Sequence, residues 1–447
     1  MKFLRCCIKR RLHEAPTAAS DAHCSQPLAN SCVSSDNSKQ SPSTAEQPSM
    51  KPPSNSRDDV ASPADDVQLE SRANAAAALF SKLAAADPGN AVVAVHPLVD
   101  VLSVAYAGAA GDTAAEMRAA LRFADGPEAH PRLSAAPQIT VSDDSACYAH
   151  ATRLWPQHGL PFVQSFLQKL SSATAPGRER CFQDVDYERA PEAARQMINA
   201  WVSAQTKEHV TKLLPENALS PNTRLVITAA CYFKAQWVHP LNAGSTLQFS
   251  AASGAAQTVQ ALRFRDSKVH FACVSNADFD AVRLPYQGIN AAMLLVKPHG
   301  KLEDFEERLT GGMLSTLMHE AANSPLDLTM PRFKISQSHS LSEALQQLGA
   351  RRMFDVDQAD FSGLTQPRSP AERLCVSAVQ HEAFVEVDEK GTVAGGAAAV
   401  VMTVRGLPPP VQYFKLTLDS PFLYVIQNVA TGEPLIVGHV KDAAAAQ

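Results

Sequence analysis

Hydrophobic and polar positions change rhythm about halfway along the chain. Leu69 to Ala86 is rich in alanine and leucine and reads as a helix, stopped by Asp87-Pro88-Gly89. Pro97 starts a second helix running toward Gly108, and Thr113 with Glu116 has the capping-box spacing of a third. A strand is expected over Cys147–Trp155, then helices over Pro161–Ser171 and Pro191–Thr206. From Leu225 onward strands predominate: Leu225–Lys234, Val269–Val274, Ala281–Leu284, Ala292–Val296 and Leu326–Ile335. A helix over Leu302–His319 and a shorter one over Ser340–Gly349 interrupt them. The end is strand-like again at Val376–Val387, Gln412–Leu418, Leu423–Gln427 and Leu435–Val440. Helices early and strands late predict an α+β fold rather than a regular βαβ alternation.

One stretch fits neither rhythm. Thr392 to Val404 carries no charge and no proline, opens with small residues and closes with β-branched ones. As a strand, both faces would be small or apolar, which suits a strand covered on both sides. Its glycines weaken such a strand, and no turn pair announces a hairpin partner. Arg405 interrupts the run, and Pro408-Pro409-Pro410 forbid further pairing. The pattern is that of a segment able to become a central strand without being one at the outset. A plain Ala/Gly linker and an ordinary buried strand stay open on this pattern alone. A membrane span would need about 20 apolar residues.

The 447 residues are 45% hydrophobic and 19% charged, with a net charge of −5, enough to bury a large core and not the balance of a nucleic-acid or membrane-surface protein. No dinucleotide, P-loop, HExxH, CxxC or GxSxG pattern is present, so no enzyme signature, cofactor or metal site is expected. The nine cysteines form no regular framework; five of them, Cys147, Cys181, Cys231, Cys273 and Cys375, fall in the folded part and are expected to be reduced. There is no Asn-x-Ser/Thr acceptor. The start, Met1 to Arg11, is basic without the apolar run of a signal peptide. Cys6 and Cys7 are palmitoylation candidates, against the plainer reading of a basic tip. A cytoplasmic location is favoured, with an extracellular one as the alternative. Residues 1–66, rich in Ser, Pro, Asn, Gln and Asp, cannot offset their chain entropy by burial and are expected to be a disordered tail.

Several motifs stand in a fixed order. They are Asn199-Ala200-Trp201-Val202 with Thr206, Tyr232-Phe233-Lys234-Ala235-Gln236-Trp237, Leu284-Pro285-Tyr286 and Met330-Pro331-Arg332-Phe333-Lys334-Ile335. After them come Asp360-Phe361-Ser362-Gly363, the stretch Cys375–Gly391, Pro421-Phe422-Leu423 and Leu435-Ile436-Val437-Gly438. Together this series resembles the serpin superfamily in its inhibitory form, over roughly residues 68 to 440. The resemblance implies one domain over 67–442, three β-sheets with eight or nine helices and an exposed reactive-centre loop at about 389–410, followed by a short C-terminal tail, 443–447.

The resemblance also implies a trap rather than an enzyme. A protease cuts the loop and forms an acyl-enzyme; the freed loop enters the main sheet as a new strand, and the tethered protease is distorted. The hinge is then Glu389, Lys390, Gly391, Thr392, Val393, Ala394, Gly395, Gly396 and Ala397, of which Gly391, Thr392, Ala394, Gly395, Gly396 and Ala397 are small, as insertion requires. Sixteen positions on from Glu389 lies Arg405, so the reactive bond is expected at Arg405–Gly406, with Val404 and Leu407 as other candidate baits. An arginine bait implies a trypsin-like serine protease partner; a cysteine protease and a non-inhibitory binding or chaperone role are the alternatives. The chain departs from the family at a buried cluster that governs sheet opening. His96-Pro97 stands where serine-proline is usual, and Ala229 stands in place of asparagine. His381 is therefore expected to lose its partners unless His96 replaces them. Arg118 and Arg122, near Glu116 and Asp125, read as a solvated face, so no heparin site is expected; a monomer is.

Overall fold

The computed structural model describes residues 63–124, 126, 139–173, 182–392 and 411–447. Residues 1–62 of the expected tail lie outside them, as do Cys181, Val393, Ala394, Gly395, Gly396, Ala397, Arg405 and Gly406. In chain order the elements are α1 (Pro63–Ala86), β1 (Ala91–Val93), α2 (Val95–Ala107), α3 (Gly111–Leu121), β2 (Ala146–Pro156), α4 (Gln164–Ala173) and α5 (Pro191–Gln205). There follow β3 (Leu225–Gln236), β4 (Asn242–Ser250), β5 (Ala256–Ser275), β6 (Phe279–Pro285), β7 (Ala291–Pro298), α6 (Leu302–Glu307) and α7 (Gly311–Thr316). The remainder is β8 (Ala322–Pro331), β9 (Phe333–Ser340), α8 (Ser342–Gln347), β10 (Ala378–Val387), β11 (Gly391–Thr392), β12 (Phe414–Thr417), β13 (Phe422–Asn428) and β14 (Pro434–Val440). The α+β expectation holds, with eight α-helices among the described residues.

The strands form two hydrogen-bonded sheets. A five-stranded sheet runs β2-β3-β11-β10-β9; a nine-stranded one runs β1-β14-β13-β7-β6-β5-β8-β12, with β4 on β5. The three sheets expected from the resemblance become two because β5 and β8 pair along two stretches, separated by a register shift between Asp266 and His270. One core lies between α1, α2 and one part of the five-stranded sheet, with Leu79, Leu98, Leu102, Ile227 and Val379. A second joins the two sheets through Phe233, Trp237, Met293, Phe333, Val385 and Tyr424. α2 is apolar nearly all round and buried from Val95 to Tyr106, as a core helix must be. α5 is amphipathic; Ile198 and Val202 pack with Trp155, Val226 and Ala230 on the other side of the five-stranded sheet. Asn199 fixes the loop beyond α5, donating to the Leu214 carbonyl and accepting from its N–H, both at 2.9 Å.

Three sequence expectations are corrected, and the short C-terminal tail is placed. The strand over Leu326–Ile335 is two strands in different sheets, β8 on β5 and β9 on β10, parted at Arg332 after Pro331. The helix over Leu302–His319 breaks into α6 and α7, because the Thr310 hydroxyl accepts from Met313 N–H at 3.1 Å and starts a new helix. No capping box forms on α3: the Thr113 hydroxyl accepts from Asp360 N–H, and the Glu116 carboxylate accepts from the N–H groups of Arg351 and Arg352. The C-terminal tail is docked, with Ala443 and Ala446 buried and the Ala446 carbonyl accepting from Lys334 N–H.

Candidate functional site

The five-stranded sheet holds an unusual junction. β3 and β10 run parallel and pair from Val226–Ala378 to Tyr232–Phe384. Beyond that rung they part, and the two residues of β11 stand between them. Gly391 faces Gln236, and Thr392 faces both Ala235 on β3 and Val387 on β10, antiparallel to each. The entry is built by Asp388, whose carboxylate accepts from the N–H groups of Lys390 at 2.9 Å and Gly391 at 3.0 Å, an Asx-type turn. Trp237 holds the turn from the β3 side: its indole N–H donates to the Asp388 carbonyl at 3.2 Å, and its backbone N–H to the Lys390 carbonyl at 2.7 Å. Leu241 N–H donates to the Glu389 carbonyl at 2.7 Å. The Trp237 ring stacks on Tyr286 with centroids 4.6 Å apart. A Cβ at Gly391 would lie 2.1 Å from the Ala235 carbonyl oxygen, so no other residue fits there without displacing backbone. The Glu389 carboxylate, 4.0 Å from Arg332 with both side chains partly in solvent, adds little.

Deeper along the seam sits His381, fully buried. Its Nδ1 lies 2.7 Å from the Ala229 carbonyl oxygen, and its Nε2 is 3.0 Å from Ala94 N–H. A carbonyl only accepts and an amide N–H only donates, so the ring is neutral with its proton on Nδ1. Burial pushes its pKa down to about 3. The expected loss of partners is thus corrected: backbone groups at Ala229 and Ala94 replace the missing side chains. His96 does not stand in for them. It turns to the Tyr148 hydroxyl, 3.1 Å away, and to Asp100 at 3.8 Å.

Of the expected site residues, Glu389, Lys390, Gly391 and Thr392 lie together at the junction, and Ala229 pairs with His381 on one rung. Trp237 was named from the sequence only as a motif member, and Asp388 was given no role, although Asp-Glu-Lys-Gly is a turn signature. Arg118 donates to the carbonyls of Phe123 and Ala124, closing the end of α3. At its top the seam is parted by β11, and below it β3 and β10 pair directly in parallel.

A family model described as "Serpin (serine protease inhibitor)" matches residues 70–443. Serpin B3 of Homo sapiens is 33% identical over 283 residues, covering 62% of this chain and 70% of that protein. The leukocyte elastase inhibitor of Bos taurus is 30% identical over 386 residues, covering 81% of this chain and 96% of that protein. Among solved structures, the thermophilic serpin tengpin in its native state aligns with a TM-score of 0.71 at 22% identity, over 84% of this chain and 94% of that one.

Proposed function

The chain belongs to the serpin family, and from that premise we propose that it inhibits a trypsin-like serine protease by offering Arg405 as bait and inserting the cleaved loop between β3 and β10. The observation that carries the reading is β11: the loop has begun to enter a sheet that is still closed below it. Reactive-loop insertion in serpins is itself an established example of stored strain released by cleavage.

Register supports the reading. Gly391 opposite Gln236 and Thr392 opposite Ala235 fix the antiparallel count on β3, and Thr392 opposite Val387 fixes it on β10. A strand that kept both counts would bring residue 395, a glycine, to the rung of Tyr232 and Phe384, and residue 398, an alanine, to that of Ala229 and His381. The charge-free run from Thr392 to Val404 would then cover β3 to its start at Leu225, and Arg405 would fall beyond it. The run is as long as the strand it must accompany.

The proposed sequence begins with attack by the protease nucleophile on the Arg405 carbonyl carbon. The peptide bond to Gly406 breaks, and an acyl-enzyme remains on Arg405. The guanidinium suits a specificity pocket with a buried carboxylate. Insertion adds backbone hydrogen bonds on both sides of the new strand, each worth about 1 kcal/mol net, before water completes hydrolysis. This chain supplies no catalytic group. The buried thiols of Cys231, Cys273 and Cys375 are unpaired, which favours a reducing compartment. The non-inhibitory alternative drew on lost partners for His381, and that imidazole is fully bonded.

The test is incubation with trypsin. The expected product is an SDS-stable complex with release of a C-terminal fragment that begins at Gly406, together with a large rise in Tm of the cleaved inhibitor. Turnover without complex overturns the inhibitory reading; a fragment beginning at another residue moves the bait to Val404 or Leu407.

A further inference from the structure

The face of the sheet that carries α5 has a feature that the family reading does not use. The last closed rung of the seam, Tyr232 on β3 and Phe384 on β10, bears two aromatic rings with centroids 6.4 Å apart. His209, from the loop after α5, lies flat on Tyr232 at 3.6 Å with an interplanar angle of 8°, and its centroid is 6.4 Å from that of Phe384. The three rings thus span the seam at its last closed rung, three residues below the rung of Ala235 and Val387 where β11 stops.

The loop is built to place that ring. Lys207 and Glu208 both adopt left-handed backbone, with φ of 52° and 65°, a strained conformation for side chains that carry a Cβ. Buried Thr206 holds the turn: its hydroxyl donates to the Val202 carbonyl at 2.8 Å and accepts from Val210 N–H at 3.2 Å. His209 N–H donates to the Thr206 carbonyl. The backbone on either side of His209 is thus hydrogen-bonded to Thr206, and the exposed ring lies on Tyr232. Partial desolvation, and then Lys234 and Lys207, lower its pKa. On β9, Lys334 places its ammonium 5.3 Å from the centre of the Phe384 ring and 3.2 Å from Glu386, so the β10 side of the rung is anchored as well.

We propose that His209 is a positioning residue for loop insertion, a clip that holds the Tyr232–Phe384 rung closed and sets how fast a strand passes between β3 and β10. Opening the sheet there separates Phe384 from both Tyr232 and His209, so two ring contacts are lost before any new backbone bond forms on that rung. The inference rests on the insertion reading.

The experiment compares the full chain with His209→Ala and His209→Phe. A synthetic peptide with the sequence of residues 392–404 is added to each uncleaved protein, and its incorporation is followed by native-gel shift, beside the Tm of cleaved protein. His209→Ala should take up the peptide about threefold to tenfold faster, the factor an aromatic contact is worth. His209→Phe, which keeps a flat ring on Tyr232, should return the rate to that of the parent. The Tm of the cleaved forms should agree among all three. Equal uptake by His209→Ala and parent, or His209→Phe behaving as His209→Ala, overturns the clip while leaving the insertion reading in place. A parent protein that neither takes up peptide nor gains stability on cleavage overturns both.

Discussion

The imidazole of His381 on β10 donates from Nδ1 to the carbonyl oxygen of Ala229 on β3, 2.7 Å away and on the same rung. A side chain of one strand is thereby bonded to the backbone of its neighbour across the line along which the proposed insertion would open the sheet. The second ring nitrogen accepts from Ala94 N–H, just before α2, so the strand pair is tied to the core helix beneath it as well.

The burial of this ring makes the closed sheet sensitive to acid. The native pKa of His381 is held at about 3, against 6.5 for the free side chain, chiefly by burial. The folded value is depressed, so the contribution is complete above pH 6.5 and is lost as pH falls from there toward 3, by several kcal/mol at the limit. Protonation of Nε2 removes the acceptor for Ala94. The Tm of the intact protein should therefore drop between pH 7.5 and pH 4.5. Burial also lowers His339, His239 and His209, so the measurement is made against His381→Leu. A variant slope as steep as the parent's would remove His381 from the account.

Much of this site could be read in the chain, and what could not has definite causes. The hinge was legible because the run from Thr392 to Val404 carries no charge and no proline and because the stretch Cys375–Gly391 resembles the one before a serpin reactive loop. Asn199 and Trp237 were legible as motif members, but their roles were not: each bonds to backbone brought from elsewhere, at Leu214 and Asp388. The same holds for His381. Its partners are a carbonyl and an amide, which any residue type supplies, so losing an asparagine side chain at position 229 did not reveal that the ring stayed satisfied. β4 was missed because Asn242–Ser250 is mostly small, polar and exposed, and only Leu247 and Phe249 alternate with exposed neighbours, too short a stretch to mark a strand. His209 gave no signal, since a stack on Tyr232 depends on a left-handed turn formed by non-glycine residues.

Gly391 should tolerate no side chain. Alanine there would press a methyl group on the Ala235 carbonyl and on Gln236 Cα, 2.5 Å away. Gly391→Ala is expected to expel β11 and to cost about 1–3 kcal/mol in the native state. The chain has three tryptophans, and Trp237 alone among them contacts the hinge turn through its indole. Its emission should shift to the red in the variant, and the shift should vanish in Trp237→Phe. An unchanged spectrum would mean that β11 stays seated.

Under the sheet, Arg72 on α1 joins two carboxylates: its Nε lies 2.5 Å from Glu433 and a terminal nitrogen 2.7 Å from Asp100. All three are largely buried. Removing the cation leaves two like charges in a dry site, a change that costs about 3–5 kcal/mol when a buried pair loses one member. Arg72→Ala should lower the denaturation free energy by that amount. The double variant with Glu433→Gln should recover part of the loss, and equal stability of the single and double variants would show that the charges are solvated.

Thr392 tests loop insertion most directly. It occupies the rung between Ala235 and Val387, both fully buried. Every later residue of an inserting strand must follow through the same opening. Thr392→Arg would bring a charge to a rung whose neighbours offer it no partner, at a cost of several kcal/mol. Insertion would slow while acylation at Arg405 would not, because the bait is reached before the sheet opens. Water would then win at the acyl-enzyme, and the protein would be consumed as a substrate cut after Arg405. The measurement is the number of inhibitor molecules used per trypsin molecule inactivated, expected to rise several-fold with an unchanged fragment mass. An unchanged stoichiometry would mean that the loop does not act by entering between β3 and β10.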